Sequence, residues 1–171
     1  VKGIIIEINK MKKLLLIGCI VSLGFVFSGC PYVSEVPIDK PSEKVNPKWL
    51  STWEEQKEHD IYKITMQDEF TYNIEVKHKD KNKIDKHLAY TSTINGTIFI
   101  NKWDHQPGNS PKKYALMKIE MVGDNQINIS PVTENIREVF TSSDALKNFI
   151  ADNMKNSYFF ERPLILMRKG K

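Results

Sequence analysis

Asn95-Gly96 lies between two runs dense in β-branched and aromatic residues, 88–94 and 97–103. A two-residue type I′ turn needs positive φ at both central positions, which Asn and Gly adopt at low cost. The pair therefore predicts an antiparallel hairpin with Ile94 opposite Thr97. That register puts Leu88, Tyr90, Ser92 and Ile94 on one face with Thr97, Phe99, Asn101 and Trp103. The other face carries Ala89, Thr91 and Thr93 with Ile98, Ile100 and Lys102. The first face is larger and more aromatic, so it is expected to point inward. Tyr90, Phe99 and Trp103 are then the candidate core or ligand-lining residues. The second face is only partly polar, which implies some cover there as well.

Further strands are expected at 61–67 and 71–78, turning through Asp68-Glu69, and at 114–122 and 126–129, turning through Gly123-Asp124-Asn125. Tyr72, Ile74 and Val76 alternate with Asn73, Glu75 and Lys77, the period of a half-buried strand. Ala115, Met117, Ile119 and Met121 alternate in the same way with Leu116, Lys118 and Glu120. Pro163 marks the start of a short apolar closing strand, 164–168. A helix interrupts the run. Thr141 or Ser142 can cap it, Asp144 suits its positive first turn, and Leu146, Phe149, Ile150 and Met154 recur at helical spacing. Residues 134–140 read as another short helix, and the segment holding Trp49, Leu50 and Trp53 as either a helix or the opening strand. The fold class is mainly β with one or two short helices, an antiparallel small barrel or strongly curved sheet.

Residues 61–168 resemble uncharacterised bacterial envelope proteins with a lipocalin-like pattern. The resemblance rests on the hairpin from Tyr90 to Phe99, the strand from Tyr114 to Ile119, the helix start 142–150 with Leu146 and Phe149, and the apolar strand ending in Arg168. It implies a lipocalin-like β-rich domain over 48–171. Lipocalins open on Gly-x-Trp, and this chain has Ser51 where that glycine would precede Trp53.

The amino-terminal thirty residues have a different character. Met11-Lys12-Lys13 is a cationic start, 14–27 is mostly apolar, and Phe27-Ser28-Gly29-Cys30 follows. That order fits a secretory signal, and Gly29-Cys30 resembles the lipobox of bacterial lipoproteins. The resemblance implies cleavage between Gly29 and Cys30, a diacylglyceryl thioether on Cys30, and acylation of the new amino terminus by a chain such as palmitate. Residues 1–29 are therefore read as upstream residues plus a signal peptide starting at Met11. Residues 30–47, with Pro31, Pro37, Pro41 and Pro47 among polar residues, read as a lipidated cysteine and an extended tether, about 50 Å long at ~3.1 Å per residue. The expected location is the cell envelope, lipid-anchored through Cys30. In a diderm the outer membrane is favoured, because Pro31 is not the aspartate associated with inner-membrane retention.

Composition narrows the function classes. The chain has 25 basic and 21 acidic residues, but Lys2, Lys10, Lys12 and Lys13 fall in the export segment. The remainder is nearly balanced and has no basic face of the kind nucleic acid requires. Cys19 leaves with the signal and Cys30 takes lipid, so the domain has no disulfide or thiolate metal site. No nucleophile elbow or phosphate-binding glycine loop occurs. His59, His78, His87 and His105 read as surface-loop residues, and the lysine-rich stretch 77–87 as a solvated hairpin tip that keeps sheet edges apart. No catalytic residue, metal ligand or cofactor is assigned. The function expected first is a non-catalytic module that recognises an envelope protein, peptide or glycan on its surface. The alternative is a carrier holding a small hydrophobic ligand inside the barrel. An envelope hydrolase is a third reading with weaker support.

Overall fold

The computed structural model describes residues 32–104 and 112–170. The signal segment, Gly29 and Cys30 lie outside the described residues, as does His105. Among the described residues nine strands occur in the order β1 (Val33–Ser34), β2 (Ser51–Glu55), β3 (Ile61–Met66), β4 (Tyr72–Lys77), β5 (Ile84–Ile94), β6 (Thr97–Asp104), β7 (Tyr114–Val122), β8 (Gln126–Pro131) and β9 (Leu164–Arg168). One helix, α1 (Ser143–Asn153), separates β8 from β9.

The hairpin is built as its turn chemistry requires. Asn95 has φ 49° and Gly96 φ 79°, and Ile94 pairs with Thr97. Strands β2 to β8 pair each with the next, β9 inserts between β8 and β2, and every pairing is antiparallel. The result is a closed ring of eight strands, a lipocalin-like small barrel. Closure removes the edges on which other chains would pair. β1 adds to β7 at Ala115 and Tyr114, beyond the stretch of β7 that β8 covers.

Two apolar cores follow from this ring. The inner one contains Trp49, Trp53, Ile64, Tyr72, Ile100 and Leu166. The outer one lies between the barrel wall and the elements laid over it, and contains Ile38, Phe99, Leu116, Leu146, Ile150 and Phe159. The helix contributes its apolar stripe to the outer core and is capped by Ser142, whose Oγ accepts from Ala145 N–H at 3.3 Å.

That second core reverses the expected facing of the hairpin. Tyr90 and Phe99 belong to the face turned away from the interior, and Ala89, Ile100 and Lys102 belong to the face turned into it. The larger face is apolar because the chain's own amino-terminal segment and α1 cover it. Tyr90 OH donates to the Asp39 carbonyl at 2.6 Å. Trp103 sits edge-on between Tyr90 (5.7 Å) and Tyr114 (5.9 Å).

The tether and part of the local reading are corrected too. From Tyr32 on, the segment expected to be extended packs against the barrel. Tyr32 and Ile38 are buried, Tyr32 N–H donates to the Val132 carbonyl at 3.1 Å, and Ile38 N–H donates to Asn101 Oδ1 at 2.8 Å. Asn101, fully buried, passes its other hydrogen bond to Ser92 Oγ at 2.9 Å. A polar side chain on the outer wall thus fixes a segment whose composition reads as linker. Residues 134–140 form no helix; Ile136 and Phe140 instead pack individually against the outer core. β5 begins at Ile84, so the lysine-rich hairpin tip is confined to 78–83. The described strand pairings and both described cores fall within one compact unit, Pro31–Lys171.

Candidate functional site: a half-closed cavity in the barrel

The inner core does not fill the barrel. A cavity of about 360 Å³ remains, walled by apolar side chains that include Ile64, Ile74, Ala89, Ile100, Met117 and Leu166. Eight strands enclose a space that side chains alone can fill or that can hold one small ligand. The small residue at Ala89 is one reason it is open here.

One end is closed by the chain that leads into β2. Asn46 caps a single 3-10 turn, Pro47–Trp49. Val45 N–H donates to the Glu69 carbonyl on the β3–β4 turn at 2.9 Å, and Asn46 N–H donates to Tyr72 Oη at 2.7 Å. On the far side, Arg168 Nη2 donates to the Lys48 carbonyl at 2.7 Å and its Nε to the Asp124 carbonyl, on the β7–β8 turn, at 3.0 Å. The strap therefore crosses the barrel end from one turn to another. Trp49 hangs from it into the cavity wall, stacked on Tyr72 at 5.5 Å. Trp53 Nε1–H donates to the Trp49 carbonyl at 2.9 Å, and the Arg168 guanidinium lies 4.3 Å from the Trp53 ring. Trp49 Nε1 itself is buried with no hydrogen-bond partner among the described residues. The undecided segment is thus a 3-10 turn at Trp49 and a strand at Trp53.

The other end is polar. His78, Asp85, His87 and Lys102 line the cavity where β4 ends, β5 begins and β6 ends. His78 ties the end of β4 to β5 and to the 56–60 connection. Its Nδ1 lies 2.6 Å from Asp60 Oδ2 and its Nε2 lies 2.9 Å from Asp85 Oδ2. Both ring nitrogens face carboxylates, so the imidazolium serves both, and its pKa is raised by Asp85 and by Asp60. Lys83 at 2.8 Å, together with His78, holds Asp85 down to about 2. His87 Nδ1 lies 2.8 Å from Asp104 Oδ1, yet its pKa is lowered, because burial and the neighbouring Lys102 outweigh that carboxylate. Lys102 is half-buried and its pKa is lowered by burial, against the pull of Asp104 and Asp85. Tyr62, also on the wall, is pushed up to about 12 by burial and by Asp60 and Glu55.

His78 and His87 are therefore parts of the cavity rim rather than surface-loop residues. The signal in the sequence was their place on the alternation: His87 shares a face with Ala89, and His78 continues the face of Val76. His59 stays exposed, 3.1 Å from Glu54 Oε1. Of the candidate lining residues, Phe99 is fully buried in the outer core, and none of Tyr90, Phe99 and Trp103 lines the cavity. Among the described residues no group of three or more His, Cys, Asp or Glu is placed to hold a metal ion.

No protein-family model, curated protein or solved structure matches this chain. The site has to be read from its own geometry. It offers an apolar body, a closed floor and a charged rim.

Proposed function

We propose that this chain is a lipid-anchored envelope protein whose barrel carries a small hydrophobic ligand without acting on it chemically. The observation that supports this reading is the cavity of about 360 Å³ with its apolar wall and one shut end. It falls within the ~300–1,000 Å³ typical of small-molecule pockets, which are likewise apolar with a few placed polar groups. Recognition of an envelope protein or glycan through the outer aromatic face ranks below it, because that face is already covered by residues 32–39 and α1.

The anchor rests on the order of Met11, the apolar run and Gly29-Cys30. The stretch from Tyr32 to Asp39, expected to serve as a tether, is instead packed on the barrel. Two experiments test the two halves of the proposal. Cys30→Ser should move the protein from the membrane fraction to the soluble one, and retention in the membrane fraction contradicts the anchor. The neutral probe N-phenyl-1-naphthylamine should bind one-to-one with a rise in fluorescence that Ala89→Trp abolishes. Absence of that rise, or its persistence in a folded Ala89→Trp variant, contradicts the carrier.

A further inference from the structure

Three large apolar side chains stay exposed around the outer layer. Val139, Tyr158 and Val33 are 77%, 72% and 48% exposed, although their sequence neighbours Phe140, Phe159 and Tyr32 pack in the outer core. Tyr32 links all three. It directly precedes Val33, and its Oη–H donates at 3.2 Å to the carbonyl of Glu138, the residue before Val139. Its N–H donates to the Val132 carbonyl, and the next residue, Thr133, donates its N–H at 3.0 Å to the carbonyl of Phe159, which follows Tyr158. The Phe149 ring lies 5.0 Å from Phe140 and 6.1 Å from Phe159, so Val139 and Tyr158 flank one row of aromatic rings. Val33 pairs with Ala115, which lies opposite Lys102 of the cavity rim, so this edge of the patch is at the open end of the barrel. Large apolar groups gathered in this way mark an interaction surface more than single ones do. Glu35, Arg137, Glu138 and Lys155, also exposed, surround them with charges of both signs.

We infer that Val33, Val139 and Tyr158 seat the barrel on the surface of a bilayer, with the tyrosine ring at headgroup level. The inference rests on the lipid-anchor half of the proposed function and adds an orientation to it. A lipid on Cys30 is attached two residues before Tyr32. Two residues reach at most about 7 Å, close to the ~5–8 Å depth of one headgroup layer. The residues around Tyr32 are therefore the part of the domain that the anchor holds at the lipid. Tyrosine suits that layer, with an apolar ring and a polar tip. The mixed charges fit a zwitterionic surface without requiring anionic lipid. The covered wall of β5 to β7 then faces the membrane, and β3, across the ring from β7, faces away.

The test uses the protein purified from the membrane fraction and reconstituted in phosphatidylcholine vesicles, with and without doxyl-labelled phosphatidylcholine. On the anchor reading Cys19 is removed with the signal and Cys30 is blocked, so a single introduced cysteine takes a single NBD fluorophore. Labels at Val139→Cys and Tyr158→Cys should shift to the blue in vesicles and lose emission to the doxyl lipid. A label at Lys63→Cys, exposed on β3, should do neither. Val33→Asp with Val139→Asp should abolish the quenching at position 158 while the protein stays with the vesicles, because the lipid still holds it. Quenching that is equal at all three positions, or absent from 139 and 158 in vesicle-bound protein, would overturn the seat and leave the anchor standing. A blue shift that persists in detergent and grows with protein concentration would assign the patch to a second copy of the chain and overturn it too. A mass showing no lipid on Cys30 would remove the anchor reading, and the seat with it.

Discussion

Ala89→Leu separates a hollow barrel from a packed one by the sign of its effect. Ala89 is 1% exposed and its side chain borders the cavity between Tyr72 and Lys102 on the neighbouring strands. Leucine adds three carbons, worth up to about 2 kcal/mol of burial at ~0.8 kcal/mol each if they enter empty space. Restricting the leucine rotamers takes back ~0.5–1 kcal/mol. The expected outcome is a stabilisation of about 1–2 kcal/mol. A filled interior predicts the opposite, since overpacking costs ~1–3 kcal/mol. Val132→Phe is the matched control: Val132 is fully buried in the outer core and does not line the cavity, and should lose ~1–3 kcal/mol. Urea unfolding of the chain from Pro31 onward reads both, through the midpoint at unchanged slope. If Ala89→Leu is destabilised as much as Val132→Phe, the cavity argument is wrong, and the carrier reading goes with it.

The two rim histidines should pull stability in opposite directions with pH. The raised pKa of His78 means the folded state keeps its proton longer than the unfolded chain. Its contribution is complete below ~6.5 and is lost as pH rises through the folded value. The lowered pKa of His87 reverses the sign: its contribution is complete above ~6.5 and is lost as pH falls through the folded value. Urea midpoints taken from about pH 5 to 9 should therefore show His78→Asn with a flatter alkaline decline and His87→Gln with a flatter acid decline, and a wild-type alkaline slope in His78→Asn contradicts the clasp. Arg168→Lys should destabilise by about 2 kcal/mol, close to Arg168→Ala, because an ammonium does not reproduce a fork that spans the Lys48 and Asp124 carbonyls while covering Trp53. Full rescue by lysine in the same urea assay would show that charge alone closes that end.

Much of the barrel was legible because its strands obey local rules. Asn95-Gly96, Gly123-Asp124 and Asp68-Glu69 mark turns by their own backbone preferences, and each hairpin then follows from its flanks. Ser142, Asp144 and the Leu146–Ile150 spacing located the helix for the same reason. The inside of the barrel was harder to identify. Alternation separates two faces but does not say which is interior when both are covered. Phe99 against the outer layer and Ile100 against the cavity are equally shielded in the folded chain. The amino-terminal segment was misread for a related reason. Its attachment depends on the contacts of Asn101 and Tyr90 with Ile38 and Asp39, far apart in sequence, and composition carries no trace of them. The rim was legible only as a grouping: the alternation put Lys102 on one face with Ala89 and Ile100, but that face was expected to be the outer one. The clasp of His78 with Asp60 and Asp85 needed the ring to bring three elements together.

The most direct test of a ligand-carrying barrel is native mass spectrometry of the chain from Pro31 onward, before and after incubation with excess dodecanoate. The account predicts one non-covalent adduct per chain, lost on denaturation and absent from folded Ala89→Trp. A chain that stays bare, or one that takes several adducts equally well with Ala89→Trp, would contradict it.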